Sequence, residues 1–484
     1  MGTTITNNSL SFLKVFSACF PHSPSEDQLN AIHRLVEFTF DSNPKKLFIL
    51  NGYAGTGKTS LIGAYIKVLD EFNLKNSLLA PTGRAAKVLS SKAGKQVLTI
   101  HKKIYYKKMQ PGGKIILTLT PNLHRSTIFI IDESSMIGDD IIASENQFSN
   151  RSLLDDIITY VYSGNNCSLF LIGDTGQLPP IGSDISPALN SELLKFHYPY
   201  LSISQTKLKM ILRQTLHSGI LLNATHIRTF DKLNTHAPLK ISEFNDIKRV
   251  NGSELLDSLE ENYAKYGIDN VIMISKSNKR VNLYNQNIRS RILYIEDELV
   301  TNERLMVVRN NYFWLPETSK AGFIANGETI QVNRIIKYET RYNHRFARAE
   351  VKLIDYSEEG EIEVLLLIDT LNLESPSLQR EAMKNFFFAV EEDYLDEKNK
   401  QKRYEMIVKN EYFNALQIKY AYAITCHKAQ GGEWPIVYID HDFLVPEMLD
   451  VSFYKWLYTA FTRSKEKIYL VNFDPKFFSE ESEN

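Results

Sequence analysis

The chain has 484 residues, a net charge of −1, and 43% hydrophobic and 23% charged residues. That length is too great for one ordinary core and implies about two to four domains, while the composition excludes fibrous and disordered classes. No apolar run approaches the length of a membrane span, and the beginning carries no signal-peptide pattern. The three cysteines, Cys19, Cys167 and Cys426, form neither a metal-spaced pair nor a disulfide framework, so a reducing, cytoplasmic location and no membrane partner are expected.

In chain order, a helix is predicted from Leu10 to Phe20, ending before Pro21. Ser25 offers an N-cap for a second helix with Leu29, Ile32, Leu35, Val36 and Phe40 at helical spacing. Gln28, in its first turn, is either an adenine-edge reader or a plain exposed helix-start residue.

Leu47–Leu50 reads as a buried strand. It runs into Gly52-Tyr-Ala54-Gly55-Thr56-Gly57-Lys58-Thr59, followed by a helix from Ser60. The pattern G-x-x-x-x-G-K-[ST] between strand and helix is a phosphate-binding loop. Its glycines let backbone N–H groups converge on an anion, Lys58 supplies a point charge, and Thr59 can ligate Mg²⁺. The helix presents its positive end to the same phosphates.

From Phe72 to Ile131, sixty residues, there is no Asp or Glu, yet the span is rich in Lys and Arg. A basic region within a neutral chain suggests a phosphate-facing surface. Pro81-Thr82-Gly-Arg84 opens a helix there, and Thr82 with the following N–H groups can hold a backbone phosphate. A hairpin is predicted from Ile104–Met109 and Lys114–Thr120 around Gln110-Pro-Gly-Gly113, too small for its own core and so projecting.

Ile128–Ile131 then reads as a buried strand with Asp132 and Glu133 at its C-terminal edge, where parallel α/β sheets carry ligands. Asp132 suits Mg²⁺ and Glu133 suits orientation and deprotonation of water. Leu169–Ile172 repeats the design and leads to Gln177, whose amide can sense a γ-phosphate. Strand-like runs at Leu305–Val308, Thr329–Val332, Ala349–Ile354 and Ile362–Ile368 predict a small β-barrel, followed by charged helical sequence over 376–412. The α/β pattern returns near Ile418, with a helix delivering Arg463 and a closing strand from Lys467.

The ordered set GYAGTGKT, APTGRAAKVL, TIHKKI, IIDESS, GDTGQLPP, ILRQ, AITCHKAQGGE and YTAFTRS resembles superfamily 1 DNA helicases of the RecD-like and Dda-like 5′→3′ branch. The resemblance implies two RecA-like parallel-sheet cores with a pin hairpin and an SH3-like barrel inserted. It places a first core at 1–187 (pin about 103–122), a second at 188–300 and 412–484, and the barrel and helices at 301–411. It implies MgATP held by Gln28, by Gly52, Ala54, Gly55, Thr56, Gly57, Lys58, Thr59 and Ser60 of the loop, and by Glu433, with Thr59 and Asp132 on the metal. Catalytic roles would fall to Lys58, Glu133, Gln177, Arg213 and Arg463. Single-stranded DNA would touch Pro81, Thr82, Arg84, Thr99, His101, Lys102, Thr425 and His427, and forked duplex would be the substrate. The alternatives are a nucleic-acid-stimulated ATPase that remodels complexes without processive unwinding, and a P-loop kinase or switch indifferent to DNA.

Overall fold

A computed structural model describes residues 7–21, 23–109, 115–139, 152–211, 218–316, 319, 321–356 and 359–478. The first core holds β1 (Lys46–Gly52), β2 (Lys75–Ala80), β3 (Leu98–Thr99), β4 (Tyr105–Met109), β5 (Ile115–Leu119), β6 (Thr127–Ile131), β7 (Ser168–Gly173) and β8 (Ser202–Leu208). Six of these form a parallel sheet in the order β3-β2-β6-β7-β1-β8. Alternation explains the unbroken apolar run of β1. Phe48 and Leu50 pack on one face with Leu61 and Tyr65, while Leu47 and Ile49 pack on the other with Ile157 and Val161.

β4 and β5 form the separate hairpin, paired from Tyr105↔Leu119 to Met109↔Ile115. Its turn, Gln110 to Lys114, lies outside the described residues, as does the polar stretch from Asn146 to Arg151. One expected boundary is corrected. The first core does not end at 187, because β8 pairs with β1 from Lys46↔Ser202 to Gly52↔Leu208. The sequence SISQTKL hides this edge strand, since only Thr206 and Leu208 are buried.

The second core and its insertion hold β9 (Ile247–Val250), β10 (Val271–Ser275), β11 (Arg304–Val307), β12 (Thr329–Arg341), β13 (His344–Leu353), β14 (Glu361–Leu367), β15 (Leu416–Tyr420), β16 (Ala423–Thr425), β17 (Trp434–Asp440) and β18 (Ser464–Val471). A parallel sheet runs β16-β10-β17-β18-β9, and β11 to β15 close a barrel. The boundary expected at 412 is therefore also corrected: Leu416–Tyr420 closes the barrel against β11 and β14 before the chain re-enters the sheet. One apolar cluster joins Val271, Met273 and Tyr438 of the sheet to Leu305, Ile330 and Val351 of the barrel. The helices Arg380–Glu391 and Lys400–Val408 cover the barrel, with Phe386, Val390 and Ile407 packed on Phe346, Leu365 and Leu367.

Candidate active site between the two cores

The phosphate loop follows β1 and turns at Gly55 and Gly57, with φ of 75° and 80°. Both lie in the left-handed region that favours glycine. Gly57 begins the helix Lys58–Glu71, and a Cβ on Gly52 would stand 2.6 Å from Lys58 Cγ. Lys58 Nζ donates to the carbonyls of Gly52 (2.5 Å) and Tyr53 (3.0 Å), and it lies 3.9 Å from Asp174. Thr56 is buried, and its hydroxyl donates to the Tyr53 carbonyl at 2.7 Å.

Gln28 is not an exposed helix-start residue. It is fully buried; its Oε1 accepts from the Ser25 N–H at 2.9 Å, and its Nε2 donates to the Thr56 carbonyl at 3.0 Å. A capping box thus ties the helix Glu26–Phe40 to the back of the loop.

Three acidic residues follow the neighbouring strands. Glu133 has φ of 51°, a strained backbone for this residue type, and its N–H donates to Asp132 Oδ1 at 2.9 Å. Burial pushes both carboxyls above their ordinary range, opposed at Asp132 by the Glu133 N–H and Lys58, and at Glu133 by Arg463. Asp174 is buried and accepts from the Gly176 N–H at 2.9 Å. Gln177 is 4% exposed, and its Oε1 has no hydrogen-bond partner.

The second core supplies the opposite wall. Arg463 is 4% exposed, and it donates to the carbonyls of Thr459 (3.0 Å) and Gly432 (3.2 Å) and to the Thr462 hydroxyl (2.9 Å). Glu433 pairs across the cleft with Lys92 at 3.0 Å and within its own core with Lys465 at 3.5 Å. Burial pushes the Glu433 carboxyl up, but Lys92, Lys465 and Arg463 together hold it below the ordinary range.

A cavity of about 400 Å³ lies between these walls. Lys58, Thr59, Asp132, Glu133 and Gln177 line it from one side, and Glu433 and Arg463 from the other. Ala54, Gly55 and Gly57 also line it, while Gln28, Gly52, Thr56 and Ser60 support the loop without facing the cavity. Arg213 lies outside the described residues.

Two contributors escaped the sequence reading. Arg228 stacks on the Tyr53 ring at 3.5 Å, and Tyr458 donates to Asp174 Oδ2 at 2.7 Å. Neither has a local spacing that reveals a partner in the other core.

A second cavity, of about 340 Å³, is lined by Thr82, Arg84, Gly327, His427 and Lys428, drawn from both cores and the barrel. Thr82 caps the helix Gly83–Ala93, its hydroxyl accepting from the Ala85 N–H at 3.1 Å. Arg84 is tied to Thr329 of the barrel at 2.7 Å and sits 4.8 Å over Trp434. Pro81, Thr99, His101, Lys102 and Thr425 are not in this lining. Lys102 donates to the Ser319 carbonyl at 2.6 Å, and the Thr99 hydroxyl accepts from the Lys102 N–H at 3.2 Å. The His101 ring meets Phe323 at 6.0 Å, and burial lowers its pKa to about 4.

The basic span is not one free surface. Lys87 pairs with Asp355 at 3.6 Å, Lys92 with Glu433 and Lys95 with Asp70, so distant carboxylates neutralise lysines that look unopposed in sequence.

A family model described as an AAA domain matches residues 24–229, and one described as a UvrD-like helicase C-terminal domain matches residues 420–471. The chain is 28% identical to the ATP-dependent RecD2 DNA helicase of Deinococcus radiodurans over 206 residues, 42% of this chain and 23% of that protein. It is 24% identical to the ATP-dependent DNA helicase Dda of enterobacteria phage T4 over 291 residues, 58% of this chain and 60% of that protein.

This chain resembles the superfamily 1 helicases.

The relatives that carry the resemblance are RecD2 and Dda. The two matched regions meet at the cavity: Lys58, Glu133 and Gln177 lie in the first, and Glu433 and Arg463 in the second. The chain spans 23% of RecD2 and 60% of Dda. Among solved structures, the Pif1 helicase from Bacteroides in complex with ADP-AlF3 and ssDNA aligns over 94% of each chain, at 15% identity and a TM-score of 0.47. Among the described residues, no helix is long and apolar enough to cross a membrane.

Proposed function

We infer that the chain is an ATP-dependent DNA helicase that moves 5′→3′ on single-stranded DNA and opens duplexes. The observation that carries this reading is the cavity between the cores, where Lys58 and Glu133 of one core face Arg463 of the other.

The residues fit a magnesium nucleotide. Gly55 and Gly57 open the loop, and the orphaned Gln177 Oε1 is a buried polar atom in want of a partner. Among the described residues no group of three or more His, Cys, Asp or Glu is set to hold a metal by itself. Mg²⁺ on nucleotide phosphates needs only one or two protein carboxylates, so Thr59 and Asp132 suffice. When bound, Mg²⁺ would neutralise charge on the phosphates.

The protein's own groups do the rest. Lys58 binds the β- and γ-phosphates, Glu133 orients water and accepts its proton, and Arg463 and Arg213 stabilise charge on the transferred phosphoryl group. Glu433 borders the ribose side, while Gln28 acts from behind the loop through the Thr56 carbonyl. Because the nucleotide touches both cores, it favours the closed cleft by differential contacts, and hydrolysis releases them. The charge pair across the cleft does not by itself hold it shut. The half-exposed Lys92–Glu433 pair contributes roughly 0–1 kcal/mol, the ordinary range for such pairs. Thr82 and His427 line the second cavity as the proposed strand-binding face, with Pro81, Arg84, Thr99, His101, Lys102 and Thr425 around it.

Lys58→Ala should fold normally and lose ATP turnover, because it removes the phosphate charge from a loop whose backbone stays intact. A steady-state ATPase assay beside a thermal melt checks this; substantial turnover in a folded variant sinks the phosphate-loop assignment.

ATPase rates with no polymer, single-stranded DNA and single-stranded RNA test the whole reading, since a rate indifferent to DNA selects the kinase or switch alternative. Duplexes with a 5′ tail should be opened and those with a 3′ tail left intact. Replacing residues 110–116 by a short Gly-Ser turn should abolish unwinding while DNA-stimulated ATPase persists. Unwinding that survives means the hairpin is not the wedge. If no clean fork is opened even by the parent chain, the remodelling alternative stands.

A further inference from the structure

Tyr458 lies in the helix Val451–Phe461 of the second core and is 1% exposed, yet its hydroxyl is spent entirely on the first core. It accepts from the Ala54 N–H of the phosphate loop at 2.8 Å and donates to Asp174 Oδ2 at 2.7 Å. The direction of each bond follows from chemistry: an amide can only donate, so the single phenolic proton goes to the carboxylate. Burial and Asp174 raise the Tyr458 pKa well above its ordinary value, so it remains a donor at any pH the protein meets.

The same helix carries more ties. The Thr459 hydroxyl accepts from the Leu178 N–H at 2.8 Å, just past Gln177, and the helix ends beside Arg463. Asp174 in turn lies 3.9 Å from Lys58. One hydroxyl therefore joins three things that must agree in position: the phosphate loop, the loop bearing Gln177, and the helix bearing Arg463.

We propose that Tyr458 is a positioning residue that registers the arginine-bearing helix against the phosphate loop, so that Arg463 reaches the γ-phosphate only when this bridge is made. The proposal rests on the ATPase reading above. It assigns the hydroxyl no contact with the reacting atoms; its effect passes through Arg463.

The test is a double-mutant cycle on the full chain with saturating single-stranded DNA. Tyr458→Phe keeps the ring and its packing and removes both bonds. Its kcat should fall by about 10²-fold, the scale of an ångström-sized misplacement, with ATP affinity measured by equilibrium titration nearly unchanged. In an Arg463→Ala background the same change should cost almost nothing, because the group it positions is gone. Thr459→Ala, which cuts the neighbouring bond and spares Tyr458, should cost far less than Tyr458→Phe.

Unchanged kcat in Tyr458→Phe overturns the proposal, as do losses that multiply in the double variant or an equal loss in Thr459→Ala. A Tyr458→Phe chain that does not fold overturns it too, since the hydroxyl then serves stability. Should Arg463→Ala itself turn over at the parent rate, the ATPase reading fails instead, and the cycle separates that result from the others.

Discussion

Glu133→Gln should bind ATP with near-parent affinity and hydrolyse it about 10²–10⁴-fold more slowly, the range a general base contributes. The amide preserves the shape of the side chain and can still hydrogen-bond water, but it cannot take the proton. The local structure favours a clean result. Glu133 is held with φ of 51° by its position between β6 and the turn Ser134–Met136, and its N–H is fixed on Asp132 Oδ1, so the backbone constraint does not depend on the carboxylate. Burial disfavours the charged form of Glu133, against the opposing pull of Arg463, so a neutral amide suits the site and the variant should melt close to the parent. Single-turnover hydrolysis and equilibrium nucleotide binding, measured side by side, decide the matter; parent-like turnover would move the base elsewhere.

Arg463→Ala should reduce turnover by about 10³–10⁵-fold, the worth of an arginine that meets developing phosphoryl charge. The side chain reaches the cleft from the end of the helix Val451–Phe461 and is steadied by the Thr459 and Gly432 carbonyls. Those bonds complicate the variant, because truncation also frees two carbonyls beside the cleft. Arg463→Lys addresses this. It keeps a positive charge but not the planar fork, so it should remain severely slow while restoring much of any lost thermal stability. Parent-like rates in both variants would mean that the second core does not complete the site.

Much of this site was legible in the primary structure because its parts are local. A strand, a glycine turn and a lysine at a helix start sit within a dozen residues, and each acidic group closes an apolar run. What stayed hidden is everything that depends on two distant segments meeting. The strand β8 is polar because it is an edge. The β12–β13 turn uses Tyr342 and Asn343, both at positive φ, where glycine would have announced it. Lys92 looks like part of a free basic face because Glu433, which neutralises it, lies 341 positions away. Gln28 reads as a surface residue because nothing nearby in sequence tells of the Thr56 carbonyl behind it.

The shared apolar core of the second sheet and the barrel has a mechanical consequence. Two bodies that bury the same side chains cannot shear past one another cheaply, since close-packed interiors resist even small shifts. The barrel is thus a rigid arm of the second core rather than a tethered ball. Its strand β12, 13 residues long, extends about 40 Å at the usual rise of a strand. A small rotation at the nucleotide cleft must therefore appear as a much larger sweep at the tip of that arm. The bonds from Arg84 to Thr329, Lys87 to Asp355 and Lys102 to Ser319 tie the base of that arm to the first core.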